Sequence, residues 1–322
     1  MVFAMRVHVL VLDHVFDLGL SAVLDAFQTA NELIGVAGLA VPRFEVRTVG
    51  LRRSVKTSQG LQVPVQKIGG RAPNCVVVPA IGFKMRGPLE AALGKREVRD
   101  AAPALRDWAA RGAMMTAACI GTFVMAESGL LDRQRATTTW WLAPLFRERY
   151  PDVMLEESQM VVPSGRFVTA GAALGHIDLA LWLIRQTSPQ LASLTAKYLI
   201  VDSRASQSAY ALTDHLAHSD PIVQRFERWA RARLAHGFSI DEAAHAVGSS
   251  KRTLARRVQD VVGTSPLSYV QSLRVERAVH LLKTTNASVD EVAARVGYAD
   301  GVTLRTLLRR RLNMGIKEIR RA

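Results

Sequence analysis

A ten-residue pattern occurs twice in the last third of the chain. "SIDEAAHAVG" at 239–248 returns as "SVDEVAARVG" at 288–297. "TL" at 253–254 then returns at 303–304, so one extra residue separates the two motifs in the second copy. Both copies open with Ser-x-x-Glu, Ser239/Glu242 and Ser288/Glu291. In a capping box the hydroxyl accepts from a free backbone N–H and the glutamate reaches back to the cap residue. Each copy therefore predicts a short helix, a glycine-containing turn and a second helix, two helix-turn-helix units at about 239–262 and 288–312.

The two second helices are predicted to be amphipathic. At 100° per residue Leu254, Val258, Val261 and Val262 share one face, and Leu304, Leu307, Leu308 and Leu312 do the same in the second copy. Arg252, Thr253, Arg256 and Gln259 in the first copy lie off the apolar stripe, as do Val302, Thr303, Thr306 and Arg309 in the second. A buried stripe opposite Arg, Gln and Thr suits a helix that docks on a core and reads a DNA groove. Either helix alone reads equally well as an ordinary solvated face. The duplication favours DNA, with two units joined by a helix of about 267–283 addressing major-groove segments ~34 Å apart. Charge agrees: residues 220–322 carry 19 Lys/Arg against 10 Asp/Glu, and the first 219 carry 23 against 18. The formal net charge is +14, the sign expected for a polyanionic partner.

The first ~190 residues follow another pattern. β-branched runs recur at 6–12, 44–50, 75–79, 113–118 and 166–171, with helical stretches at 19–36, about 97–111, 121–130 and 172–186. Alternating strands and helices predict an open, mostly parallel sheet with helices on both faces. The fold class is thus an α/β N-terminal domain, 1–192, and an all-α C-terminal domain, 221–322. The segment 193–220 reads as a connecting helix or linker, "VDSRASQSAYALTDHLAHSDP" being small and polar. No window reaches ~18 uninterrupted apolar residues, so no membrane span is expected. The opening run "MVFAMRVHVLVLDH" reads as a buried strand, not a signal peptide. Two cysteines, Cys75 and Cys119, give no disulfide framework, and a cytoplasmic setting is expected.

Cys119 ends an apolar run, and Gly121 follows two places on. A tight strand-to-helix turn here would put the thiol above a helix N-terminus, lower its pKa and make it partly thiolate. Nucleophilic catalysis also needs a base within reach. Ile120 follows the cysteine directly, and "ATTTWW" places Thr139 before Trp140. His14 and His176 read as structural or surface residues, Trp140 and Trp141 as core or interface, and Cys75 as core. No metal-ligand spacing or phosphate loop is present, and "KIGGR" precedes a strand instead of following one. No cofactor is expected.

Two resemblances follow from these residues. "GTSPLSYVQSLRVERAVHLL" and "VDEVAARVGYAD" resemble the AraC/XylS-type DNA-binding domain. This implies promoter DNA as partner, read by Arg252 and Arg256 in the first unit and Val302, Thr303 and Thr306 in the second. The family's second unit ends Gly-x-Ser-Pro-x-x-Tyr-Arg. Here Asn313, Gly315, Ile316 and Ile319 stand in those places, with Asn313 a suitable left-handed helix stop. "AACIGTFVMAESGLLDRQRATTTWWLAPLFRERYPDV" and "TAGAALGHIDLALWLI" resemble the DJ-1/PfpI, class I glutamine amidotransferase-like domains fused to such regulators. In that superfamily a histidine often follows the cysteine or stands where Thr139 does, and a pocket acid stands where Asp17 does. The resemblance implies a non-catalytic sensor that binds a small metabolite, with Asp17, Gly82, Cys119, Ile120, Thr139 and Trp140 as candidate pocket residues. It also implies a homodimer and control of amino-acid or amine catabolism. The rival readings are a Cys-dependent hydrolase or amidase carrying a DNA-binding domain, and a thiol-redox sensor.

Overall fold

The computed structural model describes residues 4–202, 207, 220–262, 264–312 and 314–321. The chain divides into two compact units, Met1–Ser208 and Ala209–Ala322. Asn313, the expected helix stop, lies outside the described residues, as does most of the expected connector at 193–220.

The first unit is built on β1 (Met5–Leu10), β2 (Phe44–Gly50), β6 (Cys75–Val78), β7 (Met114–Ala118) and β11 (Phe167–Ala170). Each lies within about two residues of its expected bounds. A short hairpin of β3 (Ser54–Lys56) and β4 (Gln62–Pro64), and β5 (Gln66–Lys67), fill the path from β2 to β6. β8 (Arg135–Ala136) pairs with β9 (Met154–Leu155), and β10 (Val161–Ser164) closes one edge. The seven-stranded sheet runs β10-β11-β7-β6-β1-β2-β5, parallel except at β10. β10 departs from the expected pattern, because "VVPS" carries Pro163; proline is tolerated there because the strand lies on an edge.

Helices cover both faces. α1 (Asp17–Val36), α6 (Gly175–Thr187) and α7 (Pro189–Tyr198) pack together on one face. α2 (Arg86–Leu93), α3 (Arg96–Ala110), α4 (Gly121–Ala126) and α5 (Ala143–Arg149) contribute to the apolar cluster on the other. The strands that feed both clusters are buried on both sides. β6, "CVVV", is an unbroken apolar run for that reason.

The second unit holds α8 (Pro221–Ala232), α9 (Ile240–Ala246), α10 (Lys251–Val262), α11 (Pro266–Thr284), α12 (Val289–Arg295), α13 (Gly301–Leu312) and α14 (Ile316–Arg321). α9–α10 and α12–α13 are the two helix-turn-helix units. α11 serves both: Tyr269, Val270 and Leu273 enter the first core, and Val275, Ala278, Leu281 and Leu282 the second. Each turn passes through a left-handed glycine, Gly248 at φ 66° and Gly297 at φ 79°. The capping boxes differ from expectation. Ser288 has both halves, its N–H donating to Glu291 at 2.6 Å and its hydroxyl accepting from the Glu291 N–H at 3.2 Å. Ser239 has only the hydroxyl half, because the Glu242 carboxylate turns to Arg233 at 3.5 Å.

Candidate functional sites: the helix-turn-helix faces and the cysteine elbow

The two second helices present the faces expected of them. In α10, Leu254, Val258 and Val262 are buried, and Val261 packs on the same core half-buried. Arg252, Arg256 and Gln259 are exposed, with Thr253 half-exposed. In α13, Leu304 and Leu308 are buried, with Leu307 and Leu312 at the margin of the core. Val302, Thr303, Thr306 and Arg309 are exposed, and Val302 at 66% is the apolar outlier of the face. Ser250 caps α10 through the Thr253 N–H at 3.1 Å, and Asp300 caps α13 through the Thr303 N–H at 2.7 Å. Among the exposed threonines, Thr306 Oγ1 is bonded to the Val302 carbonyl at 3.0 Å and Thr303 Oγ1 to Asp300 at 3.2 Å. Neither hydroxyl has to give up its acceptor capacity to reach a base edge.

One residue without a distinguishing sequence signal holds the two helical cores in register. Arg274, on α11, is buried. Its guanidinium donates to the carbonyls of Leu234 (3.1 Å) and His236, and lies 5.3 Å from the Tyr298 ring centroid. Nothing in "SLRVERAV" separates this arginine from the solvent-facing ones. Arg274→Met is expected to cost about 2 kcal/mol by leaving two carbonyls unpaired. Hydrogen exchange should then speed up in both helix-turn-helix cores; protection unchanged in α12 would exclude the bridging role.

Cys119 sits at a backbone elbow. Its φ of 56° is left-handed, its N–H donates to the Ala170 carbonyl at 2.7 Å, and α4 starts two residues later. A Cβ on Gly121 would collide with the Val78 carbonyl oxygen, so only glycine lets the helix start this close to β6. The geometry is that of a nucleophile turn, but the environment corrects the expected partial thiolate. Cys119 is 3% exposed, and burial pushes its thiol up to about 12, against weak opposing pulls from the Ile120 N–H, Thr139 and Lys84. Thr139 Oγ1 lies near the sulfur without a well-directed hydrogen bond to any group.

His176 is no base for this thiol. The ring is fully buried, with Nδ1 donating to the Ala173 carbonyl (2.7 Å) and Nε2 accepting from the Ala80 N–H (3.0 Å). Both nitrogens are thereby used. His14 stands at φ 63° against Phe83, ring centroids 5.2 Å apart.

The six candidate pocket residues fall in separate groups. Cys119, Ile120 and Thr139 are packed together at the elbow. Asp17 accepts from the Ser58 hydroxyl (2.7 Å) and the Gln59 N–H (3.1 Å), and Gly82 presses on the same Ser58. Burial pushes the Asp17 carboxyl up, but the Thr57 and Ser58 hydroxyls and nearby amides outweigh it and hold it low. Trp140 is half-buried, edge-on to Trp141 at 5.5 Å. A cavity of about 220 Å³ lies nearby, and none of the six lines it.

Gln207 is a further residue with no sequence signal. It is fully buried, and its amide nitrogen donates to the carbonyls of Thr138 (2.8 Å) and Glu157 (2.7 Å). The Thr138 hydroxyl in turn donates to the Cys119 carbonyl at 2.7 Å. Gln207 is thus linked to the elbow through two hydrogen bonds in series.

Comparison with known proteins places both units. The DJ-1/PfpI family model matches residues 5–186, and a helix-turn-helix domain model matches 243–322. The HTH-type transcriptional regulator GbdR of Pseudomonas aeruginosa is 26% identical over 296 residues, 90% of this chain and 77% of that protein. The HTH-type transcriptional regulator ArgR of the same organism is 26% identical over 247 residues, 76% of this chain and 72% of that one. Two solved structures share the N-terminal fold. An AraC family transcriptional regulator from Pseudomonas putida has TM-score 0.51 and 20% identity, covering 60% of this chain and 98% of its own. Drosophila melanogaster DJ-1beta has TM-score 0.50 and 17% identity, covering 62% and 100%. This chain belongs to the DJ-1/PfpI family and, with its paired helix-turn-helix units, is an AraC-type DNA-binding transcriptional regulator.

Proposed function

We propose that the N-terminal domain is a non-catalytic sensor whose small-molecule effector controls promoter binding by the C-terminal domain. The observation that carries this is the pairing, in one chain, of an elbow whose buried thiol is protonated and lacks an imidazole with two exposed Arg-bearing helices. A thiol held at about 12 is neither a nucleophile nor a fast redox centre at neutral pH. The protein acts as a homodimer in the cytoplasm, and its target genes serve amino-acid or amine catabolism. Among the described residues no helix is long and apolar enough to cross a membrane.

Base and phosphate contacts are assigned to Arg252, Thr253, Arg256 and Gln259 in one major-groove segment. Val302, Thr303, Thr306 and Arg309 take the next. Arg256→Ala is expected to weaken specific binding by about 1–3 kcal/mol and relax preference at one base position. An equal loss on all sequences would make Arg256 a phosphate contact. Thr306→Ala should act on a subsite about one helical turn away. A footprint confined to one major-groove segment per protomer would sink the two-unit arrangement.

A further inference from the structure

We propose that Thr137, Thr138, Glu157, Gln159 and Gly171 form a slot that reads the carboxamide N–H groups of Gln207. By seating in this slot or leaving it, Gln207 passes the state of the elbow to the chain that leads into the DNA-binding domain. The slot stands on its own geometry, and the regulatory role given to Gln207 rests on the sensor reading above.

Three chain segments build the slot. Thr137 and Thr138 follow β8, Glu157–Gln159 lie between β9 and β10, and Gly171 follows β11. Gln207 is fully buried among them. Its Nε2 has four oxygens within reach: the carbonyls of Glu157 (2.7 Å), Thr138 (2.8 Å) and Gln159 (3.4 Å), and the Thr137 hydroxyl (3.2 Å). The Thr137 hydroxyl gives its own proton to the Gln159 carbonyl at 3.0 Å, so toward Gln207 it accepts. The backbone N–H of Gln207 donates to the Ser158 carbonyl at 3.0 Å. The slot thus offers acceptors, and a carboxylate of the same shape would meet four oxygens with no proton between them. Arg147 of α5 pairs with the Glu157 carboxylate and holds that wall in place. Gly171 supplies the room. A Cβ there would lie 2.2 Å from Nε2 and 2.6 Å from Cδ of Gln207, the far end of a flexible side chain, which is the part that would give way.

The seat is a shallow one in free energy. Gln207 Oε1 is buried without a hydrogen-bond partner among the described residues. An orphaned buried acceptor offsets much of what the N–H bonds gain. The seated and unseated states therefore lie close together, as a two-state element requires. Both ends of this element are connected. Thr138 accepts from Gln207 with its carbonyl and donates its hydroxyl to the Cys119 carbonyl at 2.7 Å. The Thr137 N–H is tied to Thr169 Oγ1 of β11 at 2.7 Å. A shift at the elbow therefore moves one wall of the slot. At the other end, Gln207 closes the first unit, Met1–Ser208, and Asp220, the N-cap of α8, stands thirteen residues further along. α8 supplies Val223, Phe226 and Ala230 to the first helix-turn-helix core. Seating Gln207 fixes the point from which the chain leaves the sensor for that helix.

The test uses the full-length protein, hydrogen exchange and operator gel shifts, with no effector present. Gln207→Glu changes only the donor group, Gln207→Met removes it without adding charge, and Gly171→Ala leaves Gln207 intact and fills its place. All three are expected to speed exchange by about tenfold or more in the peptide that contains Gln207, with exchange in β1 and β6 unchanged. Each should also shift the operator Kd by about fivefold or more, all in the same direction. The double variant Gly171→Ala/Gln207→Glu should shift it no further, because both changes empty one slot. Thr138→Val removes the hydroxyl bonded to Cys119 and keeps the carbonyl that Gln207 uses, so faster exchange at Gln207 in this variant reports the elbow alone. The slot fails if Gln207→Glu and Gln207→Met leave exchange at Gln207 as in the wild type. The regulatory role fails if exchange rises while operator affinity stays within about twofold, or if Thr138→Val leaves Gln207 protected. A protein that passes every arm, and whose operator affinity responds to no metabolite, keeps the slot and its link to DNA binding and loses the sensor. One that fails these arms and still responds to a metabolite keeps the sensor and loses the role of Gln207.

Discussion

Gly121→Ala is expected to destabilise the N-terminal domain by about 3 kcal/mol, the upper end of what overpacking costs. The added methyl would overlap the Val78 carbonyl oxygen and lie 2.8 Å from the Pro79 carbonyl oxygen. Both are backbone atoms at the end of a central strand and cannot swing aside as a side chain would. In urea the midpoint of the N-terminal transition should fall with its slope unchanged. Cys119→Ser, two residues away, is expected to cost less than about 1 kcal/mol. The volume hardly changes, and the new hydroxyl can donate to Thr139 Oγ1, which lacks a partner. Effector response should survive in Cys119→Ser. Its loss in a folded protein would require thiol chemistry and restore the enzyme or redox reading. Cys119→Trp should unfold the domain, because the side chain it replaces is buried in the core. If Gly121→Ala melts like the wild type, the close approach of α4 to β6 is not what shapes the elbow.

Acid is expected to unfold the same domain through His176. Burial pushes this imidazole down to about 4, with the Ala173 carbonyl pulling weakly the other way. The unfolded chain carries it at about 6.5, so below that pH the unfolded state binds the proton more readily. The stabilisation is complete above pH 6.5 and is lost as pH falls towards 4, by about 3 kcal/mol in all. Protonated Nε2 would face the Ala80 N–H that it now accepts, donor against donor. Unfolding free energy measured between pH 7 and pH 4 should fall less steeply in His176→Gln than in the wild type. Equal slopes would show that the proton binds elsewhere.

The readings that rested on periodicity and repetition were accurate because they depend on local physics. Five parallel strands, the long α1 and both helix-turn-helix units follow from alternation, from the 3.6-residue stripe and from the 49-residue repeat. The stripes of Leu254/Val258/Val262 and Leu304/Leu308 are buried as their spacing requires. Short elements were missed where they depend on neighbours: β10 exists because β11 offers it a partner, and α2 and α5 because the sheet face needs cover. The half-made capping box at Ser239 shows the same limit, since Arg233 claims the glutamate from nine residues upstream.

What the sequence alone determined is the two-part architecture, the repeated DNA-binding unit and the absence of histidine at 120 and 139. These are properties of residue type at fixed spacing. What only the tertiary structure decided is the state of the chemistry. Cys119 reads as partly thiolate from its motif, yet packing around the elbow excludes water and keeps its thiol protonated. Arg274 and Gln207 are polar residues that the fold buries against carbonyl oxygens. Desolvation and charge proximity depend on distances between chain segments remote in sequence, and those distances exist only once the sheet has formed.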